Sequence, residues 1–210
     1  MASLENMIRS MLQKQMLTSP ELEEAFRAVD RCQFVPAASH RECYDDRPLS
    51  IGSGQTISQP STVAFMLELL KPGPGNHVLD VGAGSCWTTA LIAYLVGESG
   101  HVTALERVEK LAEFGRNNIQ KGDWPQVEVY HANGLLGWPE SAPYDRILVS
   151  AAAKKVPDAL LEQLKPGGRL VIPLRDYWGN MMLIIKAEDG TLSEQTHPGF
   201  AFVPFVETDE

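Results

Sequence analysis

Leu79-Asp80-Val81-Gly82-Ala83-Gly84-Ser85-Cys86-Trp87 ends an apolar run at two glycines one residue apart and then continues in a helix-compatible pattern. Together with His77 and Val78, the run before the glycines is short and nearly uninterrupted, as in a strand covered on both faces. Gly82 and Gly84 give the turn backbone freedom and leave no Cβ where a cofactor must approach the main chain. A dinucleotide fingerprint, G-x-G-x-x-G, needs its third glycine at Trp87, where an indole blocks close helix–strand packing, so a pyrophosphate site is disfavoured. Glu106 stands 22 residues beyond Gly84, at the carboxyl end of the next strand-like run. There a carboxylate can accept hydrogen bonds from the ribose of any adenosine-bearing cofactor, the plain alternative being a solvated strand-end charge. Asp80 is read either as an acceptor for backbone N–H groups of the turn or as a partner for a cationic ligand.

From Pro60 onward, strand and helix patterns alternate. A helix over 60–71 is entered through Pro60 and left at Pro72-Gly73-Pro74-Gly75. After the glycine turn come a helix to about residue 96, a strand at 101–105, a charged helix to about 121, and strands at 127–131, 146–150, 169–174 and 181–186. A further helix is expected at about 156–164. This alternation predicts right-handed βαβ units and a doubly wound, mostly parallel α/β sheet. Asp189-Gly190 then turns the chain toward a segment finishing in Phe200-Ala201-Phe202-Val203-Pro204-Phe205, which predicts an antiparallel C-terminal strand pair. Upstream, Leu4, Ile8, Met11 and Leu12 recur at helical spacing. A second helix, running to about residue 30, starts either with Ser19 as N-cap and Pro20 at N1 or with Thr18 as N-cap and Glu21 completing a capping box. Between residues 32 and 59 periodicity disappears, and loops of that length in compact domains are usually functional or disordered.

Composition narrows the setting. The 210 residues are 44% hydrophobic and 21% charged, the proportions of one soluble globular domain whose core needs no disulfide or structural metal. Eighteen Lys and Arg against 27 Asp and Glu leave a net charge of −9, so neither nucleic acid nor anionic lipid is an expected partner. Cys32, Cys43 and Cys86 form no C-x-x-C, and their odd number reads as apolar thiols in a reducing compartment. Without a signal-like N-terminus or a long apolar run, the expected setting is the cytoplasm, with no membrane contact. The five histidines lie far apart with no carboxylate at ligand spacing, so no metal is expected. A serine hydrolase is unsupported, because G-x-S-x-G is missing.

Asp80-Val81-Gly82-Ala83-Gly84 before a helix, with Glu106 on the next strand, resembles the S-adenosylmethionine site of class I methyltransferases. Pro48-Leu49-Ser50-Ile51-Gly52-Ser53-Gly54-Gln55-Thr56-Ile57-Ser58-Gln59-Pro60 resembles the signature loop of the protein-L-isoaspartate (D-aspartate) O-methyltransferases. Asn133-Gly134, Gly137-Trp138-Pro139-Glu140, Ala151-Ala152-Ala153, Leu164-Lys165-Pro166-Gly167-Gly168-Arg169-Leu170 and Phe202-Val203-Pro204 extend the likeness in order over nearly the whole chain. The resemblance implies a Rossmann-like fold with an N-terminal helical appendage. Residues 1–59 would carry the helices and the substrate loop, and residues 60–210 the cofactor domain, in one compact unit. It implies methyl transfer from S-adenosylmethionine to the free α-carboxylate of L-isoaspartyl residues in damaged proteins and peptides, leaving S-adenosylhomocysteine. The ester then closes to a succinimide whose hydrolysis partly restores aspartate. A monomer is expected.

The same resemblance assigns Ser58 to catalysis, with Gln55 and Thr56 lining the substrate pocket beside it. Thr56, Asp80, Gly82, Gly84, Glu106, Asn133 and Gly134 fall on the cofactor side. Read from the residues alone, Ser58 could instead N-cap the helix containing Pro60. Three departures stand out. Asn133 replaces the family's acidic residue at the adenine, Ser53 stands where bacterial members usually carry an aromatic residue, and Cys86-Trp87 replace a glycine and commonly a tyrosine. These departures keep two alternatives in view: retargeting to another carboxylate such as a normal aspartate in a specific peptide, and a non-catalytic module that binds cofactor or peptide. Trp87 is expected to pack under the first helix.

Overall fold

The computed structural model describes residues 3–205. Its centre is a seven-stranded sheet in the order β5-β4-β3-β6-β7-β8-β9. Strands β3 (His77–Val81), β4 (His101–Glu106), β5 (Val127–His131), β6 (Tyr144–Val149) and β7 (Leu164–Pro173) run parallel. Strands β8 (Met181–Lys186) and β9 (Leu192–His197) add to one edge antiparallel. The central strands are buried on both faces, which is why they read as continuous apolar runs rather than alternating ones. From β3 the chain proceeds to β4 and β5 on one side, then returns to place β6 on the other. The crevice outside the carboxyl ends of β3 and β6 is therefore a topological switch point, where open α/β sheets bind ligands.

Helices α3 (Pro60–Leu70), α4 (Trp87–Val96), α5 (Glu109–Gly122) and α6 (Asp158–Gln163) cover the sheet. α4 is apolar almost all round, as befits a helix packed between the sheet and the N-terminal helix α2 (Pro20–Ala28), while α1 (Leu4–Gln13) packs on α2 and α3. A single buried cluster runs from Met7, Met11 and Phe26 through Leu67 and Leu91 to Val78 and Leu183. At the end of α3, Lys71 turns left-handed, and Arg146 of β6 and Arg169 of β7 donate to the carbonyls of Lys71 and Leu69 (3.0 and 2.7 Å). Cations at helix-terminal carbonyls answer both the orphan acceptors and the helix dipole. Among the described residues no helix is long and apolar enough to cross a membrane.

Four expectations need correction or a choice. The stretch 32–59 is not structureless: two 3₁₀ turns, Arg31–Phe34 and Ala37–Glu42, lead into an antiparallel hairpin of β1 (Leu49–Gly52) and β2 (Gln55–Ile57). Its strands are too short for a period-two pattern to stand out, although Leu49, Ile51 and Ile57 are buried. The expected antiparallel C-terminal pair is present, but its second strand is Leu192–His197 and stops short of the Phe-rich end of the segment at 200–205. That edge strand is exposed along nearly its whole length and polar, so it carried no alternation to read. Cys32 and Cys43 are not free thiols; their sulfurs are bonded, with the Cα atoms 5.1 Å apart. Of the two α2 starts, Ser19 is the N-cap with Pro20 at N1. The orphan N–H groups of Thr18 and Ser19 are satisfied from afar by Glu68 Oε1, at 2.6 and 2.8 Å.

Candidate active site

The glycine turn is strapped to the end of β4. Gly82 N and Ala83 N both donate to the Leu105 carbonyl (2.8 and 3.0 Å), and Gly82 and Gly84 sit at φ +81° and +55°, where a side chain strains the backbone. Glu106 completes the strap: Oε2 accepts from Gly84 N and Oε1 from Val108 N, both at 2.8 Å, with the residue only 7% exposed. It is thus a held, buried carboxylate, not a solvated one. Each oxygen retains lone-pair capacity on the side facing the crevice.

Behind the turn, packing fixes the start of α4. Cys86 adopts φ +65° at its N-cap, and its thiol occupies the space a Cβ on Gly115 of α5 would fill. Burial pushes that thiol well up from its ordinary pKa. Asn118 of α5 donates to the Ser85 carbonyl (3.0 Å). Trp87 meets Phe26 of α2 edge-on at 5.6 Å and donates to the Val29 carbonyl, so it packs beneath the second helix rather than the first.

Beyond β5, Asn133 Oδ1 accepts from Leu135 N (3.1 Å) and opens a short 3₁₀ turn. Gly134 is pressed so closely on Val81 that a Cβ there would collide with Val81 Cγ1. One crevice is lined by Gly82, Gly84, Glu106, Asn133 and Gly134, and its far wall is made by Gln55 and Thr56 of the hairpin and by Val203, Pro204 and Phe205. A second cleft adjoins it, lined by Pro48, Thr56, Ser58, Gln59, Thr62 and the segment 199–203. Thr56 and Ser150 line both.

The sequence-predicted residues fall in adjoining cavities, and a third, smaller pocket is lined by Thr56, Ser58, Gly82, Gly84 and Ser150 together. Ser58 lies in the second cleft, Thr56 on the common wall, and the glycines, Glu106 and Asn133 in the first crevice. Gln55 lines the first crevice and not the cleft that holds Ser58. Ser58 does not cap α3: the N-cap is Gln59, and Asp46 reaches across to accept from Ser61 N (2.9 Å) while pairing with Lys14 (2.6 Å). Asp80 lines neither cavity; it is fully buried, and Oδ2 accepts from Thr89 Oγ1 of α4 at 2.6 Å. Ser150 was not foreseen. It follows β6, and only the neighbouring of β6 and β3, a long-range fact, brings it to the glycine turn.

A family model for protein-L-isoaspartate(D-aspartate) O-methyltransferase matches residues 2–210. The chain belongs to this family. A protein-L-isoaspartate O-methyltransferase of Methanopyrus kandleri is 48% identical over 192 residues, covering 90% of this chain and 85% of its own. One from Aeropyrum pernix is 46% identical over 202 residues, covering 95% and 78%. A solved structure of a protein-L-isoaspartate O-methyltransferase matches with a TM-score of 0.87 at 26% identity, over 96% of this chain and 65% of that one. A Plasmodium falciparum beta-aspartate methyltransferase in complex with S-adenosyl-L-homocysteine has the same Rossmann-like fold, with a TM-score of 0.86 at 24% identity over 97% and 98%.

Within this isoaspartate methyltransferase fold, Asp80 has a consequence for stability. Burial pushes its carboxyl up to about 6, Thr89 pulls it partly back, and the charge of Glu106 adds to the rise. Because the folded-state value lies above that of the unfolded chain, the native state holds the proton more tightly. The contribution to stability is then complete below the unfolded value and is lost as pH rises through about 6. Asp80→Asn has no proton to lose, so in urea unfolding it is expected to gain roughly 2–3 kcal/mol on wild type between about pH 4 and about pH 7. A constant difference across that range would show that Asp80 does not titrate there.

Proposed function

We propose that the glycine-lined crevice takes S-adenosylmethionine and that the adjoining cleft takes an L-isoaspartyl residue, whose free α-carboxylate accepts the methyl group. The common wall carries this reading: Thr56 and Ser150 line both cavities, so groups held in the two meet there. The residues present fit the donor. Glu106 offers two half-used oxygens to ribose hydroxyls, Gly82 and Gly84 leave the main chain open, and the Asn133 carboxamide oxygen can accept from an adenine amino group. When bound, S-adenosylmethionine supplies an electrophilic methyl on a sulfonium and is left as S-adenosylhomocysteine.

The tasks left to the protein are positional. A carboxylate with a reference pKa below about 4 is already ionised at neutral pH, so no general base is needed. Among the described residues, no histidine lines either cavity. Ser58 and Thr56 orient the carboxylate, and the walls of the cleft limit the water that would solvate it. A chain of net charge −9 cannot attract a carboxylate through its overall field. Hydroxyls and backbone N–H groups across residues 56–59 supply that attraction locally.

The rest of the reading belongs to the same proposal. Residues 1–59 carry the helices and substrate hairpin and residues 60–210 the cofactor domain, the two sharing one buried cluster. A monomer suffices, since one chain lines both cavities. The substrates are isoaspartyl proteins and peptides, and the acidic charge argues against nucleic acid and anionic membranes. A cytoplasmic setting follows from the donor, which is made inside cells; the Cys32–Cys43 bond is the observation that stands against it.

The adenine contact is testable at Asn133. A carboxylate accepts more strongly than a carboxamide, so Asn133→Asp is expected to tighten S-adenosylhomocysteine binding about threefold to tenfold by calorimetry. Unchanged affinity would remove this position from the adenine site.

A further inference from the structure

Arg31 follows α2 in the first 3₁₀ turn and is wholly buried. Its guanidinium hydrogen-bonds to carbonyls rather than to a carboxylate. Nη1 donates to the carbonyls of Cys43 and Asp45 (2.7 and 3.3 Å), and Nη2 to those of Arg47 and Ser58 (3.0 Å each). One face lies 5.3 Å from the centre of the Trp87 ring. Burial brings its pKa down to about 10, with the charges of Asp46 and Asp45 opposing the fall, so it remains a cation at neutral pH. Holding a charge in the interior without a directly paired anion is costly, and an apolar residue of similar volume would be the cheaper filler. The position asks for what only a planar fork of donors gives, which is several carbonyls fixed at once.

Those carbonyls are not scattered. Arg47 precedes β1 and Ser58 follows β2, so Nη2 pins both feet of the hairpin whose residues wall the two cavities. Trp87 is the first residue of α4 and ends the glycine turn. One guanidinium therefore spans from the backbone of Ser58 to the helix that shapes the cofactor crevice.

We propose that Arg31 is a positioning residue for methyl transfer, fixing Ser58 and the hairpin 49–57 relative to the glycine turn. The proposal rests on the role given to Ser58 above; it adds that the hydroxyl's placement depends on a fork of hydrogen bonds from below the hairpin. Lysine keeps the charge but, as a single point donor, cannot hold Arg47 and Ser58 through one rigid plane.

Arg31→Lys is expected to lower kcat for an isoaspartyl peptide by about 30-fold to 100-fold, counted per site that binds S-adenosylhomocysteine, while that binding changes by less than about threefold. A merely structural role would reduce the number of binding-competent sites and leave kcat per site unchanged, which would overturn the proposal. In combination with Ser58→Ala, the losses are expected to be well below the product of the two single losses, because one residue acts through the other. Fully multiplicative losses would also overturn it. If Ser58→Ala alone leaves turnover intact, the failure lies in the role of Ser58 itself. In wild-type protein with labelled arginine, the Arg31 Nη protons are expected to give separate, slowly exchanging NMR signals that shift with saturating isoaspartyl peptide. Signals averaged by free rotation would contradict the proposal even if Arg31→Lys fails to fold.

Discussion

Ser58→Ala is expected to lower turnover of an L-isoaspartyl peptide by about 30-fold to 100-fold while shifting the melting temperature by no more than about 2 °C. The separation of the two effects follows from where Ser58 spends its groups. Its carbonyl accepts from Arg31 Nη2, and alanine retains that carbonyl. The N-terminus of α3 is served by Asp46 through Ser61 N, so removing the hydroxyl takes no cap away. What remains for the hydroxyl is the cleft it lines beside Thr56 and Ser150. There a small misplacement of the nucleophile is expensive because the methyl transfer needs oxygen, carbon and sulfur in line. Intact turnover combined with a markedly lower melting temperature would make Ser58 a structural residue.

The second large effect is expected at Glu106. Glu106→Gln preserves shape but replaces one acceptor oxygen with an amide that can only donate. It therefore cannot receive both Gly84 N and Val108 N and still present two acceptors to a ribose. Hydrogen bonds to a charged group contribute about 1.5–3 kcal/mol each, so S-adenosylhomocysteine binding is expected to weaken by about 100-fold in calorimetry. The loss should fall mainly on cofactor affinity, with kcat at saturating donor less affected, since Glu106 lines the crevice and not the Ser58 cleft. Binding within about threefold of wild type would place the ribose elsewhere.

The cofactor side was legible because its signals are local. A buried strand, two glycines, a helix and a carboxylate on the next strand all fall within one βαβ unit, and β3, α4 and β4 appear where the pattern put them. Distance along the chain limited the rest. Ser150 reaches the site only through the pairing of β6 with β3, and Arg31 only because a 3₁₀ turn faces the feet of a hairpin 16 and 27 residues away. Nothing in the identity of an arginine among polar neighbours announces that it will be buried. The hairpin itself has strands of four and three residues, too short for alternation to register, and the polar edge strand Leu192–His197 had none to offer. Asp80 was read from its place before the glycines as a possible ligand group, yet its side chain turns inward to Thr89. Strand parity decided that, and a single residue of register would have reversed it.

Of the departures from the family pattern, Cys86 and Trp87 are absorbed by packing against Gly115 and Phe26. Ser53 sits exposed at the hairpin tip at φ +51°, where it touches neither cavity. Asn133, the remaining departure, does line the first crevice, where its carboxamide keeps an acceptor oxygen, so the departures leave the chemistry of the family's reaction in place.

The central claim is tested most directly by labelled methyl transfer from S-adenosylmethionine to two peptides that differ only in L-isoaspartate against L-aspartate at one position. Rapid labelling of the isoaspartyl peptide is expected, with base-labile release of the label as the ester closes to a succinimide, and only background labelling of the aspartyl one. Methylation confined to the normal aspartyl peptide, or donor binding with transfer to neither, would contradict it.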